Sequence, residues 1–243
     1  MQHVLVIMNY SNFFIKDGYV CNHAASTYEY SHVGEYWTEE RIRQSSEFQY
    51  HVYALASRIA KTRGFKIGLD LGCGPARKTE KSLVPYLSEI FLVDQPNLKT
   101  LASAVLPNGK FIGVDLEVCG VALERCVDLI VCADVLEHLH DPTNCLKFAF
   151  DHLAPDGVAV FSTPERDFLR GRSCLASSHP SHVREWNRKE FRQLLEYYGF
   201  KVIKQTLFPA ARIPAVQDFI RSFSIELFMP NRWKSCQVAV CSK

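Results

Sequence analysis

The chain has 243 residues, room for one ordinary domain with a sizeable core and little for a second. Apolar residues make up 47% and charged residues 22%, which excludes a disordered or low-complexity chain, while a net charge of +2 by itself favours no class of partner. Charge is unevenly placed: residues 1–155 hold 14 Lys/Arg against 18 Asp/Glu, and residues 156–243 hold 14 against 8. The basic residues are scattered, so this excess reads as a solvated face rather than a footprint for nucleic acid.

Nine cysteines show no regular framework, and several (Cys73, Cys119, Cys126, Cys132, Cys145) lie in apolar or glycine-rich segments. A reducing compartment and no disulfides are expected. The opening MQHVLVIMNYSNFF has neither the basic start nor the cleavage site of a leader, and no stretch reaches 18 apolar residues. A soluble, cytoplasmic protein without a membrane partner is expected.

Residues 1–65 are predicted as an N-terminal region of helix and lid. Residues 3–10 read as an edge strand and 39–64 as one helix. The tyrosine-rich piece between them (Tyr19, Tyr28, Tyr30, Tyr36) is either a lid or surface packing. Residues 66–243 are predicted as the core of a single compact domain. Short apolar strands are expected at 66–71, 89–94, 110–115, 127–133 and 157–163. A helix at 141–153 is capped by Asp141 or Thr143. A polar segment at 164–186 leads to an amphipathic helix with Asn187 and Glu190 as a capping box and Gly199 as terminator. A sixth strand at 200–208, a mostly helical 210–230 and a seventh strand at 233–241 complete the chain. The pattern predicts an α/β fold with a largely parallel sheet covered on both faces, whose ligand sits beyond the carboxyl ends of the strands.

The glycine turn after the first strand, Asp70-Leu71-Gly72-Cys73-Gly74, admits three readings. A phosphate-cradling Walker loop fails, because only one glycine stands at the required distance before Lys78. A dinucleotide fingerprint fails at its sixth position, where Arg77 replaces the glycine that permits close packing. What remains is an acidic-x-Gly-x-Gly turn around a nucleoside with an amino-acid tail. Asp94, ending the second strand and followed by Gln95, is placed to accept from two ribose hydroxyls. Asp115 is placed to accept from an adenine amino group, with Leu116 beside it as backbone donor and packing surface. Cys132, Ala133 and Asp134 close the fourth strand, where they can line the tail.

Together with LVDQP, GVDLE, VCADVLEHLHDP and HLAPDGVAVFSTP, these residues resemble the class I S-adenosylmethionine-dependent methyltransferases, nearest to the UbiG-like group. The resemblance covers about residues 50–208. It implies a Rossmann-like seven-stranded sheet, its last strand antiparallel and inserted beside the sixth, and S-adenosylmethionine as cofactor. It implies that Gly72 and Gly74 bend around the methionine part, that Asp70 holds its ammonium directly or through water, and that Asp94 and Asp115 take ribose and adenine. STPERDFLRG with HPSHVREWNRKEF resembles a subset associated with bacterial glycan and polysaccharide assembly, although Ala176-Ser177-Ser178-His179-Pro180 replaces the Gly-Pro-Pro often found there.

For an oxygen acceptor a neutral histidine suits the departing proton. His138 and His182 are the candidates, each with a structural alternative. Glu137 is a base or a group fixing a histidine tautomer. Arg170 and Arg184 are candidate contacts to an acceptor anion, and Trp186 either stacks on a sugar or plugs the core. No metal is expected: Cys21-x-His23 with His32 lacks paired Cys-x-x-Cys spacing, and Asp134, Glu137 and Asp141 after the fourth strand make no clear magnesium site. The expected acceptor is a small molecule carrying a hydroxyl. RNA or protein methylation and a non-catalytic partner subunit are the alternatives, and nucleic acid is not favoured because no basic stripe interleaves with aromatics. Oligomeric state is not set by these features.

Overall fold

A computed structural model describes residues 12–25, 37–212 and 234–243. Seven strands form one sheet: β1 (Ile67–Leu71), β2 (Glu89–Asp94), β3 (Lys110–Gly113), β4 (Val127–Ala133), β5 (Leu153–Pro164), β6 (Lys201–Phe208) and β7 (Cys236–Ser242). Their spatial order is β3-β2-β1-β4-β5-β7-β6. The first five run parallel, and β7 pairs antiparallel with both β5 and β6. This is the expected sheet with its inserted antiparallel last strand. The order reverses between β1 and β4, the switch point at which open parallel sheets leave a crevice.

Both faces are covered because the strands are apolar on both sides. Along β4, Ile130 and Cys132 join one cluster with Phe91, Phe161 and Phe191, while Leu129 and Val131 join the opposite one with Leu92 and Val160. The second cluster includes Val52, Tyr53, Ala56 and Ala60 of α2 (Tyr50–Arg63), so this helix, although it precedes residue 66, packs within the sheet's core.

Several boundaries moved. The helix expected over 39–64 is two, α1 (Glu39–Gln44) and α2. Between them the Ser45 and Ser46 hydroxyls donate back to the carbonyls of Ile42 and Arg43, competing with the helical ladder, and Gln49 adopts φ 51°. The third strand stops at Gly113, and the fifth begins at Leu153. Helices α3 (Arg77–Ser82), α4 (Lys99–Val105), α5 (Thr143–His152) and α6 (Arg166–Leu169) follow in the crossovers and after β5. At the start of α5, the Asp141 carboxylate accepts the Thr143 amide at 2.8 Å. The capping box at Asn187 and Glu190 is present on α7 (Arg188–Tyr197). Gly199 takes φ 94° just beyond it, where a Cβ would press within 2.8 Å of the Phe150 ring.

All nine cysteines are free. Among the described residues, no helix is long and apolar enough to cross a membrane. The expected edge strand at 3–10, Tyr28, Tyr30 and Tyr36, and nearly all of the expected helix at 210–230 lie outside the described residues.

Candidate active site

A cleft of about 450 Å³ opens beyond the carboxyl ends of β1, β2 and β4. Its first wall is the glycine turn, where Gly72, Gly74 and Ala76 all take positive φ (74°, 54° and 56°). A Cβ on Gly72 would stand 2.3 Å from a Val135 methyl, so only glycine lets the β1 turn approach the segment after β4. Asp94 Oδ2 accepts the Gly74 amide and Oδ1 accepts the Gln95 amide, both at 2.7 Å. Each oxygen retains a second lone pair. Burial, opposed by these two amides, pushes the Asp94 carboxyl up to about 6. Gln95, Asp115, Leu116, Ala133 and Asp134 complete the expected set on this wall.

Three expected cofactor contacts do not line the cleft: Asp70, Cys73 and Cys132. Asp70 is fully buried behind the turn, where it accepts from the Tyr53 hydroxyl at 2.9 and 3.0 Å and closely from Thr79. Burial raises its pKa against these donors. Its place is to brace the turn from beneath. Cys73 and Cys132 are enclosed among core side chains.

Residues that the motifs did not single out stand in their place. The Lys78 ammonium reaches the cleft and donates to Gln49 Oε1 at 2.7 Å, and the Gln49 amide donates to Asp134 Oδ2 at 2.9 Å. Asp134 holds a left-handed φ of 53° and also accepts from Ser162 Oγ at 2.6 Å. Backbone in that region, sustained by side-chain bonds, is a recurring feature of functional sites. Lys78 was visible beside the glycine turn once its Walker reading had failed. Gln49 carried no signal, because the break between α1 and α2 is what brings it here.

At the other end of the cleft, Glu137, His138 and His182 come together as expected. His138 Nδ1 lies 2.8 Å from the Ser181 carbonyl, which can only accept, so Nδ1 carries the hydrogen and Nε2 the lone pair. Burial and the neighbouring His182 lower the His138 pKa to about 4, leaving the ring neutral near pH 7. His182 Nδ1 lies 2.7 Å from Glu185 Oε1. Burial alone would raise the Glu185 pKa, but hydrogen bonds from His182, Arg170 and Ser177 bring it down to about 2. Glu185 is therefore the acceptor, and His182 Nδ1 carries the hydrogen. Burial, with the Asp134 charge adding, holds the Glu137 carboxyl well above the usual range. Its Oε2 accepts from Thr163 Oγ1 at 3.0 Å. A third imidazole, His179, stacks on His182 with ring centroids 3.9 Å apart and also lines the cleft. Its spacing from His182 in SSHPSH was the available signal.

Arg170, Arg184 and Trp186, the expected acceptor contacts, do not reach the cleft. Arg170 grips Glu185 through two bonds of 3.0 and 3.1 Å. Arg184 is buried and donates to the carbonyls of Leu139 and His140 at 3.1 and 2.8 Å. Trp186 is fully buried, its indole N–H donating to the Phe13 carbonyl at 2.8 Å. Tyr19 is buried against the same segment and accepts the Glu185 amide at 3.1 Å. All four help to assemble the scaffold under His182.

A model described as a methyltransferase domain matches residues 43–205. A probable S-adenosylmethionine-dependent methyltransferase of Mycolicibacterium smegmatis is 42% identical over 80 residues, 32% of this chain and 30% of its own. A trans-aconitate 2-methyltransferase of Methylobacterium radiotolerans is 33% identical over 129 residues, 52% of this chain and 46% of its own. The matches therefore span less than half the length of these two relatives. The fold is shared with the N-methyltransferase NodS of Bradyrhizobium japonicum, solved with S-adenosylhomocysteine, at a TM-score of 0.62 and 17% identity over 88% of this chain and 97% of that one. With this match across the glycine turn, the strand-end carboxylates and the segment after β4, the chain belongs to the methyltransferase domain family.

Proposed function

We propose that the chain methylates a hydroxyl of a small molecule, a glycan, nucleotide-linked sugar or related metabolite. The methyl donor is S-adenosylmethionine, which supplies, when bound, a methyl group already activated on a sulfonium sulfur. The cleft suits that cofactor in volume and in chemistry. Asp94 has lone pairs to offer a ribose diol, Asp115 one for an adenine amino group, and Lys78 a cation for a carboxylate. What remains for the protein is to align the acceptor, exclude water and take or hold its proton.

The observation that carries the hydroxyl reading is the pair of imidazoles at this end of the cleft, of which His138 is kept neutral near pH 7 by burial and by its neighbour His182. Each has Nδ1 tied down and Nε2 without a bond to any described residue, and both border the cleft that Gly72 and Asp94 also line. Nucleic acid is disfavoured because part of the basic excess after residue 155 is consumed internally. Arg166 is bidentate to Glu190 at 2.7 and 2.9 Å, while Arg170 and Arg184 bond as described above. The test is a transfer assay with methyl-labelled cofactor across nucleotide-sugar, glycan, carboxylic acid and RNA acceptors, with mass spectrometry of the product. One methyl on a hydroxyl oxygen is expected. Label confined to RNA or to a carboxylate would replace this reading.

Asp94 provides a cofactor-side prediction. Charge-assisted bonds are worth about 1.5–3 kcal/mol each, so Asp94→Ala should weaken S-adenosylhomocysteine binding by at least roughly tenfold without unfolding the chain. Because the Asp94 carboxyl titrates near 6, the charged acceptor is lost as pH falls through that value, and wild-type affinity should decline between pH 7 and pH 5. Calorimetry at several pH values checks both. An Asp94→Asn variant that retains the full pH dependence would assign it elsewhere.

A further inference from the structure

We infer that Glu137, His138 and His182 form a binding site for a divalent transition-metal cation at the acceptor end of the cleft. One donor atom from each residue lies within 4.8 Å of those from the other two. Hydrogen bonding decides which atoms remain to hold an ion. His138 Nδ1 is committed to the Ser181 carbonyl, His182 Nδ1 to Glu185, and Glu137 Oε2 to Thr163. That leaves two imidazole Nε2 atoms and one carboxylate oxygen. Glu137 is fully buried, and its Oε1 has no hydrogen-bond partner among the described residues. A buried carboxylate oxygen in that condition is costly unless something positive meets it.

Two imidazoles and one carboxylate make a ligand set for zinc, cobalt, manganese or iron rather than for magnesium or calcium, which prefer all-oxygen surroundings. The supporting layer fits as well. Metal-bound histidines characteristically donate their other N–H to a carbonyl or carboxylate, which fixes tautomer and ring orientation, and both arrangements are present here. Arg170 and Ser177 hold the Glu185 carboxylate in turn, which gives the buried network beneath His182 a purpose. A four-coordinate ion with bonds of ~2.1 Å spaces its ligands about 3.4 Å apart, so side-chain rotations of roughly an ångström close the set. Three protein ligands leave the remaining positions open, and all three residues line the cleft. An acceptor hydroxyl can occupy such a position. That role rests on the hydroxyl reading above, whereas the site itself does not.

The expectation of no metal rests on the Cys/His spacing near residues 21–32 and on Asp134, Glu137 and Asp141 read only as carboxylates for magnesium. The set found here joins Glu137 and His138 to a residue 44 positions further along, which spacing rules do not reach. The test uses the full chain without an affinity tag, treated with chelator and titrated with Co²⁺, following its visible d–d absorption and competition by Zn²⁺. One equivalent is expected to bind. Substitutions Glu137→Gln, His138→Ala and His182→Ala should each weaken binding by at least about a hundredfold, and Thr163→Val by roughly tenfold. His23→Ala, at an exposed ring outside the cluster, should match wild type. Circular dichroism confirms folding, and near-isosteric Glu137→Gln covers the case in which a histidine variant fails to fold. Absent Co²⁺ binding, or binding unchanged in the folded cluster variants, overturns the site. S-adenosylhomocysteine affinity, measured on the chelated protein, tests the cofactor reading separately: its loss would sink that reading and leave the Co²⁺ result standing.

Discussion

His138→Ala is expected to slow methyl transfer by about 10²–10⁴-fold, because its Nε2 either takes the acceptor's proton or holds the cation that acidifies it, with S-adenosylhomocysteine affinity nearly unchanged. The separation follows from position. His138 stands after β4 in the short 3₁₀ turn 136–138, tied at Nδ1 to Ser181, while Asp94 and Asp115, the groups proposed to meet the nucleoside, stand at the end of β2 and after β3. Single-turnover rates with the acceptor identified by the assay above are the measurement. His182→Ala is the companion variant, and a loss that appears mainly as weaker acceptor binding would mark it as a contact rather than a participant in the chemical step. Full turnover in both variants at saturating acceptor would reduce catalysis to positioning and favour an amine or an already acidic hydroxyl.

Trp186→Ala is expected to destabilise the fold by about 3–5 kcal/mol, the range for emptying a large aromatic site in a core. For a domain of this size that corresponds to a fall in Tm of roughly 6–20 °C. The ring is fully buried, packs near Phe191 at 6.1 Å between centroids, and has the Arg184 guanidinium 5.9 Å away. Its removal also leaves the Phe13 carbonyl without its donor. Thermal unfolding checks the stability, and cofactor calorimetry well below the transition should give near-wild-type affinity. An unchanged Tm combined with impaired acceptor binding would return Trp186 to the acceptor wall.

His138 and Trp186 differ in how far their surroundings are legible in the sequence. His138 was singled out because local order along the chain carries the information: a strand, its carboxyl end and the segment beyond it all lie within a dozen residues. The same holds for Gly72, Gly74, Asp94 and Asp115, each at or just beyond a strand end, because a parallel sheet with helical crossovers delivers every such end to one edge. Trp186, Arg184 and Arg170 lie in a long irregular segment with no period. Nothing local says whether an arginine meets solvent, an acceptor or a buried glutamate.

The sequence by itself determined the fold class, the antiparallel last strand beside the sixth implied by its family resemblance, and the glycine turn that borders the cleft. Hydrophobic period and glycine placement are local properties of the chain, and they act before distant parts meet. Only the tertiary structure decided that Asp70 braces the turn from behind, where Tyr53 and Thr79 occupy its oxygens. It also decided that Gln49 and Lys78 join Asp134 on the cleft wall, and that Glu137, His138 and His182 converge. Each of these depends on contacts between segments far apart in the chain. Packing selects which side-chain atoms are spent on one another and which are left facing the cleft.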